Sequence, residues 1–315
     1  MTITTSIMNR TRAYPGFWAA VLLCGAFVML QVCFLIPVGI SDVIFRTDLT
    51  SHPAALGVVN LIACAVVLTL GRMMGRVEIR EVIVLRDVSR LTTTSVIIAS
   101  AGAIILLSEA DNLVRALLPP PEWIVGIFRE LGSTSKHLLA SVFLMVIVAP
   151  LTEEIMFRGL ILRGFLRRFN LAGALVASSL LFGVVHLNPW QFVSASALGL
   201  MFAWWYWRTQ SLIPSLLGHA LTNAMALGNQ SLPFRIRGFN AGEAFGGTEL
   251  QPVWFDALGL LLLVCGLWIF HRTTPSVAAP VGPIDAHPSD SSASNAPPVI
   301  PPDHLTSQPT PPVDR

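Results

Sequence analysis

Charge is the property that this sequence has least of. Only 12% of its 315 residues are charged, and Lys136 is the only lysine beside 19 arginines. An average soluble domain carries about 25% charged residues. With 53% hydrophobic residues, the composition excludes an ordinary soluble domain. The net charge of +2 says little about partners, and we expect no nucleic-acid partner.

Cysteine is also scarce, and its placement excludes two kinds of site. The chain has four cysteines, and all lie within apolar stretches: Cys24, Cys33, Cys64 and Cys265. Their spacing matches neither a metal-binding motif nor a disulfide framework. We expect these residues to pack as small hydrophobic side chains.

Long apolar stretches are abundant. A helix needs about 20 apolar residues to cross a bilayer, and several stretches approach or exceed that length. The sequence therefore predicts an all-α fold, a polytopic transmembrane helical bundle of about eight spans; the polar motifs described below predict an active site among spans four to seven. The predicted spans are residues 16–39, 54–71, 93–109, 138–162, 171–187, 191–207, 212–230 and 253–270.

The distribution of basic residues predicts the orientation of these spans. With the N-terminus inside, the inside segments hold thirteen arginines and the outside loops hold six basic residues. Cytoplasmic segments commonly carry such an excess. We therefore expect a multi-pass protein of the cell membrane with cytoplasmic N- and C-termini. The near absence of lysine beside many arginines favours a bacterial source.

The chain divides into five predicted regions. Residues 1–15 form a cytoplasmic N-terminus, residues 16–135 the first transmembrane helices and loops, and residues 136–230 a catalytic transmembrane core. Residues 231–272 form an outer loop and the last transmembrane helix. Residues 273–315 hold 11 of the 22 prolines, which predicts a disordered, Pro/Ser-rich cytoplasmic tail.

Two adjacent carboxylates, Glu153 and Glu154, lie inside an apolar stretch. A charge at the bilayer centre costs roughly 2.5–3.5 kcal/mol on insertion scales. Residues four apart share a helix face, so Glu154 should pair with Arg158. Glu153 is about 140° away from Arg158 around the axis, at roughly 100° per residue. The spacing predicts a structural Glu154 and an unpaired Glu153 that can act as a general base.

Three more polar residues are predicted at the same depth: His186, His219 and Asn223. Glu153 and His186 are equally distant from a predicted turn at residues 167–170, so a helical hairpin brings them level. His219 and Asn223 share a helix face. They lie about 14 and 20 Å beyond a predicted turn at residues 209–211, at 1.5 Å per residue. Scattered structural residues would have no reason to share one plane.

Local features of the neighbouring spans are typical of a buried, wet site. A break at Asn188-Pro189 falls near the same depth, where irregular backbone is tolerated only if it is buried in protein or lines a cavity. Small residues at four-residue spacing, Ala195, Gly199 and Ala203, predict close packing of helices. The aromatic run at 204–207 predicts an interfacial aromatic belt.

Three motifs on consecutive predicted helices resemble those of the CAAX protease and bacteriocin-processing (CPBP) family. They are Glu153-Glu154-x-x-x-Arg158, Phe182-x-x-x-His186 and His219-x-x-x-Asn223. This family consists of multi-spanning intramembrane endopeptidases and includes the CAAX prenyl endopeptidases. The resemblance covers roughly residues 138–230, and three motifs in order are more specific than any one of them.

The resemblance implies a role for each matching residue. Glu153 would activate a water for attack on a peptide carbonyl, and His186 would help to hold that water. His219 and Asn223 would stabilise the developing oxyanion. The supporting residues would be Glu154, Arg158 and Phe182.

A divalent metal ion remains an open alternative. The chain has no His-Glu-x-x-His segment, the usual helical zinc signature. Glu153, His186 and His219 could still form a two-His, one-carboxylate zinc site with an open position for water. The same residues also function without a metal, as a glutamate base with oxyanion donors.

The expected function is hydrolysis of peptide bonds in a membrane-associated protein or peptide. Its expected partners are therefore a peptide or membrane-protein substrate and the lipid bilayer. A proton- or cation-coupled transporter is an alternative, because intramembrane ionisable residues also act as relays. Transporters are commonly built from two similar halves, and no matching half is found here. A catalytically silent membrane scaffold or immunity protein is the other alternative.

Overall fold

The computed structural model describes residues 14–126, 137–241 and 249–274. Most of the predicted N-terminus (1–13), the predicted disordered tail (275–315) and parts of two outer loops lie outside the described residues. Helices dominate the described ranges, and no β-strand forms in them. The predicted all-α membrane fold is confirmed, while the boundaries of the five regions stay predictions.

Each of the eight predicted spans falls on a helix. Five helices of the described ranges are long and apolar enough to cross a membrane: α1, α2, α4, α5 and α9. α6 is a shorter apolar helix of 15 residues. The helices are α1 Phe17–Phe45, α2 Pro53–Gly75, α3 Ile79–Val82, α4 Arg90–Leu117, α5 Leu138–Phe165, α6 Leu171–Val185, α7 Pro189–Thr209, α8 Ile213–Gly228 and α9 Val253–Thr273.

The loops of the bundle meet at two ends. At one end Glu81 forms an ion pair with Arg163, and a guanidinium nitrogen of Arg208 donates a 2.8 Å hydrogen bond to the carbonyl of His271. We call this the basic end; it comprises residues 72–90, 163–170, 208–212 and 271–274. At the opposite end the side chain of Asn112 donates to the carbonyl of Gly238.

The predicted break after His186 is confirmed. α6 ends at Val185, Leu187 has a left-handed φ of 51°, and α7 begins at Pro189. The side-chain oxygen of Asn188 accepts the amide hydrogen of Trp190 at 3.1 Å, which caps the exposed start of α7. Proline suits the first position of a helix because its missing N–H would be unsatisfied there. The turn therefore ends α6 beside His186.

Small residues bring α6 and α7 together, as predicted. Ala195, Gly199 and Ala203 are all buried. A Cβ on Gly199 would lie 3.2 Å from the Cα of Ser179 in α6, a distance tighter than ordinary packing. The helices can approach this closely because Gly199 has no side chain.

The predicted aromatic belt at residues 204–207 is wrong for two of its members. Trp205 is fully buried and Tyr206 is only 3% exposed. The Trp205 ring packs against Phe270 of α9, with centroids 5.7 Å apart, and contacts Gly218 of α8. Because α8 and α9 cover this part of α7, the aromatic run belongs to the bundle core.

Candidate active site

Glu154 and Arg158 form a buried ion pair. The Arg158 Nη1 lies 3.0 Å from Glu154 Oε1, and the two side chains are 1% and 0% exposed. The four-residue spacing therefore pairs them as predicted. A charge pair this deep in an apolar bundle needs further hydrogen bonds, because desolvation opposes it.

Further partners of Arg158 come from α6 and α7. Its Nη2 donates a 3.0 Å hydrogen bond to the carbonyl of Gly199. Its guanidinium carbon lies 4.6 Å from the ring centroid of Phe182 and 5.5 Å from that of Phe202, within the range of cation–π attraction. Arg158 thus joins three helices at one point.

His219 links the two adjacent carboxylates, which the sequence analysis did not anticipate. Its Nδ1 lies 2.8 Å from Glu154 Oε1. That oxygen also accepts from Arg158, so it acts as an acceptor here and Nδ1 is the donor. The opposite ring nitrogen, Nε2, lies 3.8 Å from Glu153 Oε2. The ring is therefore held on one side and faces Glu153 on the other.

Glu153 differs from its neighbour in exposure and in partners. Its side chain is 20% exposed, whereas that of Glu154 is fully buried. Within the described ranges, Oε2 of both glutamates lacks a hydrogen-bond partner, but Oε1 of Glu154 is engaged by Arg158 and His219. The predicted pairing of Glu154 with Arg158 is confirmed, and Glu153 lies near His219 instead. A carboxylate in this state retains lone pairs for a water molecule.

Aromatic rings enclose the two histidines. The Phe182 ring packs edge-on against both, with centroids 5.0 Å from His186 and 5.7 Å from His219. Phe202 stacks on His219, with ring centroids 5.4 Å apart and an interplanar angle of 25°. Phe182 was predicted to pack beside the site, and Phe202 was missed. Its position three residues after Gly199, on the same face of α7, was the available signal.

His186 lies beside Phe182 but is oriented by its own helix. Its Nδ1 is 2.8 Å from the carbonyl oxygen of Phe182, which can only accept, so Nδ1 donates and Nε2 remains available. The side chain is half-buried. Both histidines thus use Nδ1 for support, and each has Nε2 directed away from that support.

Asn223 contacts a carbonyl that α5 leaves without a donor. Its Nδ2 donates a 2.8 Å hydrogen bond to Met145 O. Residues Phe143–Val148 are π-helical, so the donor for Met145 would come from residue 150. That residue is Pro150, which has no N–H. An amide nitrogen carries two hydrogens, so this bond leaves one for the predicted oxyanion role.

A polar contact from α2, outside the recognised motifs, was also missed. The Thr152 hydroxyl lies 2.7 Å from Asn60 Oδ1 and donates to it. The Cys64 thiol, one turn further along α2, lies 3.7 Å from the Thr152 carbonyl. Thr152 directly precedes Glu153, so α2 supports the backbone that carries the proposed base. A single asparagine in an apolar span gave no pattern that could have identified it.

The zinc alternative receives no geometric support. Across residues 14–126, 137–241 and 249–274, no group of three or more His, Cys, Asp or Glu side chains is arranged to hold a metal ion. Each histidine is held at Nδ1, His219 by Glu154 and His186 by a backbone carbonyl, and keeps Nε2 available, an arrangement that metal-ligating histidines also have. The zinc site of Glu153, His186 and His219 therefore stays a prediction.

The part of the chain that matches known proteins contains helices α5 to α7 and most of α8, which carry the motif residues described above. Residues 135–225 match the family model "Type II CAAX prenyl endopeptidase Rce1-like". The chain is 32% identical over 119 residues to the Bacillus subtilis (strain 168) protein named "Putative membrane peptidase YdiL". That match covers 36% of this chain and 49% of the relative, so the chain spans about half the length of the relative that it matches. No solved structure matches significantly. The resemblance stated above is therefore confirmed for residues 135–225, which are similar to the Rce1-like family of CAAX prenyl endopeptidases.

Proposed function

We propose that this protein is an intramembrane endopeptidase that hydrolyses a peptide bond of a membrane-associated protein or peptide. The observation that carries the proposal is the series of contacts from Arg158 to Glu154, to His219 and to Glu153. The first three side chains are buried, and Glu153 is partly exposed. The Rce1-like match and the peptidase named above, each similar to this chain, support the same class of reaction.

The reaction begins with a water bound to the Glu153 carboxylate. Glu153 removes a proton from this water as the oxygen attacks the carbonyl carbon of the peptide. The carbon becomes tetrahedral and its oxygen takes up the negative charge. Glu153 then gives the proton to the departing nitrogen, and the C–N bond breaks. Water is thus divided between the new carboxyl group and the new amine.

The histidines and the asparagine stabilise the charge that develops during this step. Nε2 of His219 faces the space beside Glu153, and the second amide hydrogen of Asn223 is available. Asn223 can donate this hydrogen to the oxyanion, and His219 donates from Nε2 when it is an imidazolium that carries both ring protons; one such donor contributes about 2.7–4 kcal/mol in known hydrolases. Nε2 of His186 is assigned to holding the attacking water.

Glu154 and Arg158 keep His219 in a productive orientation. Because Glu154 accepts from Nδ1, the imidazole ring cannot rotate without losing a hydrogen bond to a charged group, which is worth roughly 1.5–3 kcal/mol. Arg158 holds the Glu154 carboxylate and is itself held by its hydrogen bond to the Gly199 carbonyl. This pair supports the reaction without contacting the substrate.

A Glu153→Gln variant tests the proposal. Comparing peptide termini in membranes that contain wild-type or variant protein identifies cleavage products, and a purified assay on such a substrate then measures the rate. We expect the rate to fall by about 10²–10⁴-fold, since general-base catalysis contributes about that much. Glu122→Gln, an exposed carboxylate at the opposite end, is the control. Equal rates for wild type and Glu153→Gln would exclude the mechanism.

The same preparations address the alternatives. A proton-coupled flux in liposomes that disappears in Glu153→Gln, without cleavage products, would favour a transporter. Full rescue of a deletion phenotype by the Glu153→Ala, His186→Ala double variant would favour a silent scaffold.

The metal content of the purified protein addresses the zinc alternative. We expect less than stoichiometric zinc and a hydrolysis rate that survives dialysis against a chelator. One tightly held zinc ion per chain that is lost in His186→Ala would instead favour a metal site.

A further inference from the structure

The two ends of the bundle differ strongly in charge. In the described ranges, the basic end carries ten arginines and three acidic residues. The opposite end, residues 42–52, 109–126, 229–241 and 249–256, carries four arginines and seven acidic residues. The arginines of the basic end are Arg72, Arg76, Arg80, Arg86, Arg90, Arg163, Arg167, Arg168, Arg208 and Arg272. This charge is complementary to a surface of anionic phospholipid headgroups.

One segment of the basic end combines charge with exposed apolar side chains. We call residues 76–90 the basic strap; it joins α2 to α4 and contains α3. Its outer face carries four exposed arginines against two exposed acidic residues, Glu78 and Asp87. Glu78 is ion-paired with Arg80. Two apolar side chains are also exposed, Ile79 at 42% and Leu85 at 59%. Its inner face buries Val77 and Val82 at 8% and 1%. Arginines around a few exposed apolar residues are typical of segments that lie in a membrane interface.

The inner face of the basic strap packs against α5 just beyond the ion pair. The Val82 carbonyl oxygen occupies the position that a Cβ on Gly159 would need, and Gly159 directly follows Arg158. Nearer the end of α5, Glu81 pairs with Arg163. The strap thus fixes the part of α5 that carries Arg158.

The following residues of the basic strap fix the start of α8. The amide of Leu212 donates a 2.9 Å hydrogen bond to the Val84 carbonyl. The fully buried Ser211 hydroxyl donates to the Arg86 carbonyl at 2.8 Å and accepts from the Arg86 amide at 3.0 Å. α8 begins two residues later and carries His219. One segment therefore joins the two helices that form the Glu154–His219 bond.

We propose that the basic strap binds anionic phospholipid headgroups of the surrounding bilayer and that this contact stabilises the alignment of α5 with α8. The lipid-binding part of the proposal rests only on the charged and apolar side chains exposed on the basic strap. The effect on hydrolysis also rests on the proposed function. An anionic bilayer should therefore raise the hydrolysis rate, and high salt should weaken the effect because it screens exposed charges.

The lipid-binding part is tested without any enzymatic assay. The full chain is reconstituted in phosphatidylcholine vesicles, and electron spin resonance compares the protein-bound fractions of spin-labelled phosphatidylglycerol and phosphatidylcholine. We expect wild type to prefer phosphatidylglycerol. An Arg76→Gln, Arg86→Gln variant should lose roughly fivefold of that preference per arginine at the strap. Backbone bonds of residue 86 to Ser211 remain in this variant.

Arg235→Gln, Arg237→Gln is the matched control, because both arginines are exposed at the opposite end. It should keep the wild-type lipid preference. Equal preference for phosphatidylglycerol in wild type and in the strap variant would overturn the proposed surface, whether or not the protein hydrolyses peptides.

The effect on hydrolysis is tested in vesicles of phosphatidylcholine alone and of equal parts phosphatidylcholine and phosphatidylglycerol. Wild type should be several-fold faster in the anionic vesicles, and the strap variant should not distinguish them. Ser211→Ala should bind phosphatidylglycerol like wild type yet lose the lipid dependence of its rate. Unchanged lipid dependence in Ser211→Ala would overturn the link between strap and site. Absence of hydrolysis in every sample would instead count against the proposed function.

Discussion

Two helix pairs of this molecule are joined by opposite means. α4 and α9 pack through glycines: a Cβ on Gly102 would meet the backbone of Leu263, and one on Gly266 would meet the backbone of Ala99. Their mutual hydrogen bonds lie toward the ends of α9, as between the hydroxyls of Thr92 and Thr273 at 3.1 Å. α5 and α8 are instead joined at mid-depth by the bond from His219 to Glu154.

This difference separates stability from chemistry. Lipid tails are as apolar as leucine, so helices associate in a bilayer through close packing rather than through hydrophobic burial. The α4–α9 pair uses that solution and needs no charge. A buried ion pair gives weak net stability because desolvation opposes it. The buried ion pair of α5 is joined to α8 through the bond from His219 to Glu154, so this contact between helices depends on a buried charge that the α4–α9 pair does not need.

Neutralising Glu154 should have the largest effect on stability. In Glu154→Gln the buried Arg158 loses its counter-charge, and breaking a buried pair in this way costs about 3–5 kcal/mol. Unfolding by denaturing detergent measures the change. Glu153→Gln is the matched control, since it alters the adjacent, partly exposed carboxylate, and it should change stability by less than about 1 kcal/mol. Similar losses in both variants would break the distinction between the two glutamates.

Filling the glycine contact should have an intermediate effect on stability and little effect on chemistry. Gly102→Val forces α4 away from α9, and overpacking typically costs about 1–3 kcal/mol. The folded fraction should hydrolyse substrate at nearly the wild-type rate. Gly25→Val in α1, where a Cβ meets nothing within 4 Å, is the control. A large fall in hydrolysis by correctly folded Gly102→Val would show that the α4–α9 pair also governs the site.

Removing the contact from α2 should have the smallest effect of the three. Asn60→Ala deletes one acceptor next to the base, and a hydrogen bond contributes about 0.5–1.5 kcal/mol net. We expect kcat to fall by up to about tenfold, with KM nearly unchanged. A double-mutant cycle with Thr152→Val measures the coupling. Additive effects of the two substitutions would mean that Asn60 does not act through Thr152.

The parts of the site that could be predicted are those within one helix. The pairing of Glu154 with Arg158 follows from four-residue spacing, and the break before Pro189 follows from the missing N–H of proline. The positions of Phe202 and Asn60 could not be predicted, because each contacts the site from a helix whose rotation about its own axis depends on packing. The π-helical stretch around Met145 was equally unpredictable, and it decides what Asn223 contacts.

The sequence by itself determined the membrane class, the helices, the paired and unpaired carboxylates and the family resemblance, because composition and helical periodicity are local properties. Only the tertiary structure decided that Nδ1 of His219 binds Glu154 and that Nε2 faces Glu153. These residues are 65 positions apart, and their contact depends on how α5 and α8 are aligned. The basic strap, which lies outside every recognised motif, contacts α5 at Gly159 and the start of α8 at Leu212.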